Sequence, residues 1–215
     1  MLCEPTKILC VGLNYKSHAE ETGGEAPKEP VIFSKFNDAL ASDGDKIALP
    51  PWHRCYDYEA ELVAVMGRRL YHAASEDEAW DAIGGYTCGN DLSARDCQFR
   101  SNQWLIGKSF PGFAPVGPWI VPASQFDPRT PHRITCELNG VTVQDDDVTG
   151  MIFSCGAIAA YISEFMPLEP GDLIFTGTPA GVILGHPKGQ RTWLKPGDEV
   201  AVTIEGIGTL RNKLV

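Results

Sequence analysis

The sequence predicts an α+β fold dominated by β-structure, and three observations carry that reading. Turn-forming residues run through the chain, with 22 Gly and 16 Pro among 215 residues. Residues 58–67 (YEAELVAVMG) alternate, with Tyr58, Ala60, Leu62, Ala64 and Met66 facing one way and Glu59, Glu61, Val63 and Val65 the other. Only residues 149–165 carry a long helical period, with Ile158, Tyr161, Ile162 and Phe165 at core spacing. The length suits one domain, and residues 1–215 are read as one.

Taken in order, residues 7–12 (KILCVG) read as a short buried strand and residues 14–21 (NYKSHAEE) as a short helix stopped by Gly23-Gly24. A loop follows, then a strand at 31–35 and a turn-rich stretch ending at Pro50-Pro51. Both faces of the strand at 58–67 end apolar, so both are expected to be covered, leaving Glu59 and Glu61 partly buried on one face. An exposed acidic helix at 75–82 precedes a strand at 84–90 that delivers Asp91 at its end. Ser93 to Asp96 fits the Ser-x-x-acid capping pattern, so a helix should start there with Arg95, Gln98 and Asn102 along one side. Residues 101–118 read as loop around the isolated cation Lys108. Strands follow at 119–121, 133–138 and 141–143, the last two joined by the hairpin pair Asn139-Gly140. The helix at 149–165 should pack on the sheet, and two Pro-Gly-Asp turns, at 170–172 and 196–198, each precede an apolar or β-branched run.

Composition narrows the function. With 43% hydrophobic and 21% charged residues the chain is globular rather than disordered, and a net charge of −10 argues against a nucleic-acid backbone as partner. An anionic ligand would need a local cation. The seven cysteines are scattered singly without Cys-x-x-Cys spacing and read as free thiols. Their odd count, the lack of an apolar secretory segment near Met1 and of any run of about 18 apolar residues point to the cytoplasm and no membrane span.

Two carboxylates on one face of a covered strand repel each other, and burial as anions costs several kcal/mol unless a cation or hydrogen bonds compensate. A divalent metal held by Glu59 and Glu61 is one reading; two ordinary glutamates on a solvated edge strand is the other. Oxygen ligands would suit Mg²⁺, Mn²⁺ or Ca²⁺ rather than zinc. His18 and Glu21, three apart, would form a base and its orienting carboxylate, or an ordinary helix surface. Arg95, Gln98 and Lys108 would bind a substrate carboxylate, or form a salt-bridged face. The loop at 176–182 (TGTPAGV) could present N–H groups and a hydroxyl to an anion, or be a plain turn.

Seven ordered segments together resemble one known family: CVGLNY (10–15) with His18, PVIFSK (30–35), EAEL (59–62), DLSARDCQ (91–98), GKSF (107–110), MIFS (151–154) and GDLIFTGTPAGV (171–182). Over nearly its whole length the chain resembles the fumarylacetoacetate hydrolase superfamily, through its small acylpyruvase-like and 2-hydroxyhepta-2,4-diene-1,7-dioate isomerase-like members. The resemblance implies a mixed β-sandwich roll of the C-terminal type, usually a homodimer, here without the N-terminal domain of many relatives. It implies Glu59, Glu61 and Asp91 as ligands of Mg²⁺ or Mn²⁺, and Lys108, Arg95 and Gln98 lining the substrate site. Thr178 would help hold a substrate carboxylate, and His18 with Glu21 would ride on a lid, at about 14–24, that closes over the substrate. The expected activity is metal-dependent hydrolysis of a carbon–carbon bond in an acylpyruvate or related 2,4-dioxo acid, with His18 activating water and Lys108 adding positive charge at the enolate. Oxaloacetate decarboxylation, dienedioate keto–enol isomerisation and a silent metal-binding assembly subunit are the alternatives.

Overall fold

A computed structural model of the chain describes residues 4–21 and 26–215; Cys3, the Gly23-Gly24 stop and residues 22–24 of the expected lid lie outside the described residues. In chain order the strands begin with β1 (Ile8–Gly12), β2 (Val31–Lys35), β3 (Leu40–Ser42), β4 (Lys46–Ile47), β5 (Tyr56–Asp57), β6 (Ala60–Met66) and β7 (Ile83–Asn90). They continue with β8 (Ser93–Ala94), β9 (Ala114–Pro122), β10 (Arg133–Leu138), β11 (Val141–Asp147), β12 (Leu173–Phe175), β13 (Glu199–Ile204) and β14 (Gly208–Leu214). The α-helices are α1 (Lys16–Glu21), α2 (Glu76–Ala82), α3 (Arg95–Gln98), α4 (Leu105–Lys108) and α5 (Cys155–Phe165).

Seven strands make a mixed sheet in the order β2-β1-β12-β6-β7-β9-β3, five make a second in the order β11-β10-β13-β14-β4, and β5 pairs with β8. The expected β-dominated α+β fold is what forms. The alternation of β6 decides how the layers meet, because all seven of its residues are buried. Leu62, Ala64 and Met66 enter a core shared with Ile134, Val200 and Val202 of the second sheet, whereas Val63 and Val65 enter a smaller core with Ile8, Cys10, Leu173 and Phe175. At about 1.5–3 kcal/mol per buried aliphatic side chain, a one-residue slip of β6 would exchange the two sets and forfeit both cores.

Strand direction then gathers four chain segments at one end of the main sheet. β6 runs antiparallel to both β7 and β12, and β1 runs parallel to β12. The start of β6, the end of β7 and the loops after β1 and β12 therefore lie together. Asn14 ties the last two, donating through Nδ2 to Thr176 O at 2.7 Å and Phe153 O at 3.1 Å while Oδ1 accepts from Phe153 N.

Several local expectations are corrected. Asn14 serves these bonds rather than starting a helix, so α1 begins only at Lys16. Ser93 lies in β8 and spends its hydroxyl on Asp91 O; α3 follows Ala94 without a side-chain cap and ends before Asn102, which is exposed. Residues 101–118 are not all loop: they contain α4 and the first half of β9, a strand disguised by Pro115, Pro118 and Pro122. The strand at 141 runs on to Asp147 past a bulge opposite Cys136 and Glu137. α5 starts at Cys155, where Ser154 Oγ accepts from Ala157 N, and Phe165 is 64% exposed at its last turn.

Gly89, opposite Glu61 in β7, has no room for a side chain: a Cβ there would lie 2.5 Å from Val63 Cγ2 and 2.7 Å from Phe175 Cε1. Gly89→Ala is expected to lower the urea unfolding free energy by roughly 1–3 kcal/mol through overpacking, and an unchanged midpoint would show that the strands part easily there.

Candidate active site

Antiparallel pairing sets Ala60 of β6 against Asn90 of β7, and Asp91 N donates to Glu59 O at 2.9 Å. Glu59 and Glu61, on one face, thus meet Asp91, and one carboxylate oxygen from each lies within 4.8 Å of the others. They are 6%, 1% and 0% exposed, on a strand interior to the sheet, so the solvated-edge reading fails.

Three cationic side chains answer this buried charge. Lys108 Nζ donates to Glu59 Oε2 and Asp91 Oδ2, each at 2.7 Å. Lys35 Nζ lies 2.5 Å from Asp91 Oδ1 and also donates to the carbonyls of Leu92, Lys108 and Phe113. Arg95 Nη2 reaches Glu59 Oε1 at 2.6 Å and Asp57 Oδ2 at 2.8 Å, its Nε bonds Asp57 again, and its Nη1 donates to Gln98 Oε1. Asp57 is fixed in turn by the N–H groups of Ile183 and Leu184. Lys35 and Asp57 were not singled out in the sequence. The signals present were a lysine ending a strand that opens with three apolar residues and an acid just before the alternating run.

These contacts split the carboxylates. Burial pushes Glu59 up, but the Arg95 and Lys108 charges outweigh it and hold Glu59 well below the usual carboxylate range. Burial pushes Glu61 well above that range, reinforced by Asp91 and Glu59 and only partly offset by a 2.7 Å bond from Gly177 N. Burial would lower Lys108, yet Asp91 and Glu59 carry it above its ordinary value.

His18 is 8% exposed on α1, its Nδ1 3.3 Å from Glu21 Oε2, while Glu21 Oε1 accepts from Gly181 N at 3.1 Å. Ser17 Oγ donates to Asp146 Oδ2, so α1 is seated on the loop after β12 and on β11. Thr178, in that loop, accepts from Gln144 Nε2 at 2.9 Å, leaving its own hydroxyl hydrogen to donate; Gln144 Oε1 takes the N–H of Ala60. Gly177, at φ 101°, lets the loop turn where a Cβ would lie 2.8 Å from Asn14 Cβ.

One cavity of about 370 Å³ opens among these groups. Glu59, Glu61, Lys108, Arg95, Gln98, His18 and Thr178 line it, with Asp91 behind the two glutamates and Glu21 behind His18. The remaining wall is apolar, running from Val11, Gly12 and Leu13 at the end of β1 to Phe33, Phe99, Trp104 and Leu184. The structure therefore gathers all nine of these residues in or directly behind the wall of one cavity.

The donor set fits a hard divalent cation. All three donors are carboxylate oxygens, and Asp91 Oδ1, fully buried, has no aligned hydrogen bond despite its nearness to Lys35. Counting Asp57, four carboxylates face three cations, so a dication would turn the site positive for an anionic ligand.

The profile of the fumarylacetoacetate hydrolase C-terminal family matches residues 7–215. The chain belongs to the fumarylacetoacetate hydrolase family. It is 44% identical to a fumarylacetoacetate hydrolase domain-containing protein 2 homolog of Dictyostelium discoideum, over 98% of this chain and 72% of the relative. It is 41% identical to the human mitochondrial oxaloacetate tautomerase FAHD2A, over 98% of this chain and 67% of the relative. Among solved structures, the 2-hydroxyhepta-2,4-diene-1,7-dioate isomerase of Mycobacterium marinum superposes with a TM-score of 0.86 at 42% identity, covering 99% of this chain and 75% of that one. Fumarylpyruvate hydrolase from Pseudomonas aeruginosa, in complex with Mn²⁺ and pyruvate, superposes with a TM-score of 0.89 at 33% identity, covering 99% and 91%. Three of these relatives are enzymes by name, a tautomerase, an isomerase and a hydrolase. Among the described residues no helix is long and apolar enough to cross a membrane.

Two outcomes test the site's electrostatics. Glu61→Ala should abolish Mn²⁺ binding by calorimetry; because a proton on Glu61 competes with the cation, wild-type affinity should rise with pH and binding should release protons to the buffer. Unchanged affinity in the variant would remove Glu61 from the ligand set. Lys35→Met leaves Asp91 and three carbonyls without their ammonium, and should cost about 3–5 kcal/mol in denaturant unfolding; a loss within error would show that Lys35 carries no part of the compensation.

Proposed function

We propose that this chain is a divalent-cation-dependent enzyme that moves a proton at the carbon beside the keto group of a 2-oxo acid. Oxaloacetate is the first substrate to test. The observation that carries the reading is the placement of the carboxylate triad and the His18–Glu21 pair around one cavity. Identity of 41% to an oxaloacetate tautomerase supports proton transfer as the leading reaction.

Mg²⁺ or Mn²⁺ held by Glu59, Glu61 and Asp91 would supply polarisation of the keto group and positive charge for the substrate carboxylate. His18, with Nδ1 directed at Glu21, takes the proton from C3 through its other ring edge. The same imidazolium then returns a proton to the enolate oxygen, completing keto-to-enol conversion without net loss or gain. Lys108 places an ammonium beside the oxygen that gains negative charge, and Thr178 donates its hydroxyl to the carboxylate. Arg95 orients Glu59 and, with Gln98, closes the polar side of the cavity. α1 seated over the cavity limits water during the transfer. A single catalytic domain, a homodimer and a cytoplasmic location complete this reading.

The apolar wall and the cavity's size favour a second reading, hydrolysis of a longer 2,4-dioxo acid. There His18 would deprotonate water, hydroxide would add to the C4 carbonyl, and the C3–C4 bond would break with its electron pair passing to the departing pyruvate enolate. The structural relative that holds Mn²⁺ and pyruvate is a fumarylpyruvate hydrolase.

A panel of oxo acids with Mg²⁺, followed by NMR in D₂O, separates these reactions: deuterium at C3 without cleavage reports tautomerisation, CO₂ loss decarboxylation, and a carboxylic acid plus pyruvate hydrolysis. His18→Ala should keep Mn²⁺ affinity and lose the wild-type reaction by about 10² to 10⁴ fold. Wild-type rates in that variant would remove His18 from the chemistry.

A further inference from the structure

Beside the cavity, a second set of ligand side chains converges, none of them lining it. His53, in the loop after Pro50-Pro51, meets Asp96 and Cys97 of α3, and one ligand atom from each lies within 4.8 Å of the others. His53 Nδ1 is 3.1 Å from Asp96 Oδ2 and 3.3 Å from Cys97 Sγ. The backbone fixes this approach: Arg95 N donates to Cys55 O at 2.8 Å, and Arg54 N lies 3.4 Å from Asp96 Oδ2. The His53 ring also rests edge-on against Phe110, at 5.4 Å between centroids. Cys97 is buried and Asp96 exposed, so the cluster opens to solvent on its carboxylate side.

We propose that His53, Asp96 and Cys97 form a binding site for a borderline-soft divalent cation of the Zn²⁺ class, separate from the carboxylate triad. One sulfur, one imidazole nitrogen and one carboxylate oxygen are the donors zinc takes, and three protein donors leave a fourth position for water on the exposed side. Mg²⁺ is disfavoured by thiolate and imidazole, so the two clusters sort cations by donor softness. Binding takes the proton from the Cys97 thiol to solvent and uses neutral His53. Asp96 and Cys97 sit between Arg95 and Gln98, so an ion here would clamp α3 to the 53–55 loop and steady the guanidinium that pins Glu59.

Co²⁺ serves as the spectroscopic probe, titrated into wild-type protein with Mg²⁺ in excess to occupy the triad. The expected result is a thiolate-to-cobalt charge-transfer band saturating at one equivalent and erased by added Zn²⁺. Cys97→Ser should lose the band and Cys55→Ser should keep it. Asp96→Asn, altered at an exposed side chain and so expected to fold, should weaken Co²⁺ binding roughly tenfold or more. No band in wild type, a band surviving Cys97→Ser, a band lost in Cys55→Ser, or unchanged affinity in Asp96→Asn would each overturn the assignment.

Discussion

The structure is organised around the burial of three carboxylates at one end of an interior strand pair. Isolated, each would cost several kcal/mol, and the neighbours are chosen accordingly. Lys108 spans Glu59 and Asp91, Lys35 backs Asp91, and Arg95 joins Glu59 to Asp57. Asp57 collects the N–H groups of residues 183 and 184, and the same loop begins at the glycine whose N–H serves Glu61. A continuous chain of polar contacts therefore runs from the triad into the loop on which Glu21 is seated. Disturbance at any link is felt at the carboxylates, because burial leaves no water to replace a lost partner.

Much of this was legible in the sequence because it depends on local period. The alternation at 58–67 placed Glu59 and Glu61 on one face and foretold cover on both sides of β6; the Asn139-Gly140 pair marked its hairpin; and Ile158 and Ile162 marked the buried face of α5. The family motifs supplied Asp91, Lys108 and Thr178, which no local pattern connects to the glutamates.

What stayed hidden depends on partners distant in sequence. Lys35 and Asp57 gain their roles only from carboxylates and N–H groups brought in by other strands. Ser93 has the chemistry of a helix cap, but strand pairing with Asp57 claimed its backbone and the Asp91 carbonyl its hydroxyl. β9 is a strand through pairing with β7 and β3, which outweighs the poor strand preference of its prolines. The His53 group escaped because its ligands come from segments about forty residues apart, without the close spacing by which zinc motifs are recognised.

The apolar wall of the cavity has an asymmetry of its own. Trp104, edge-on to Phe33 at 5.4 Å between centroids, rests directly on the backbone of Gly12, where an added Cβ would fall 2.5 Å from the indole. At position 104 the boundary is a side chain that can be pared back; at position 12 it is the main chain, where any added atom intrudes. Where these two meet, the chamber can therefore be enlarged only on the indole side, and a lineage acquiring bulkier substrates there would trim the indole while residue 12 stayed bare.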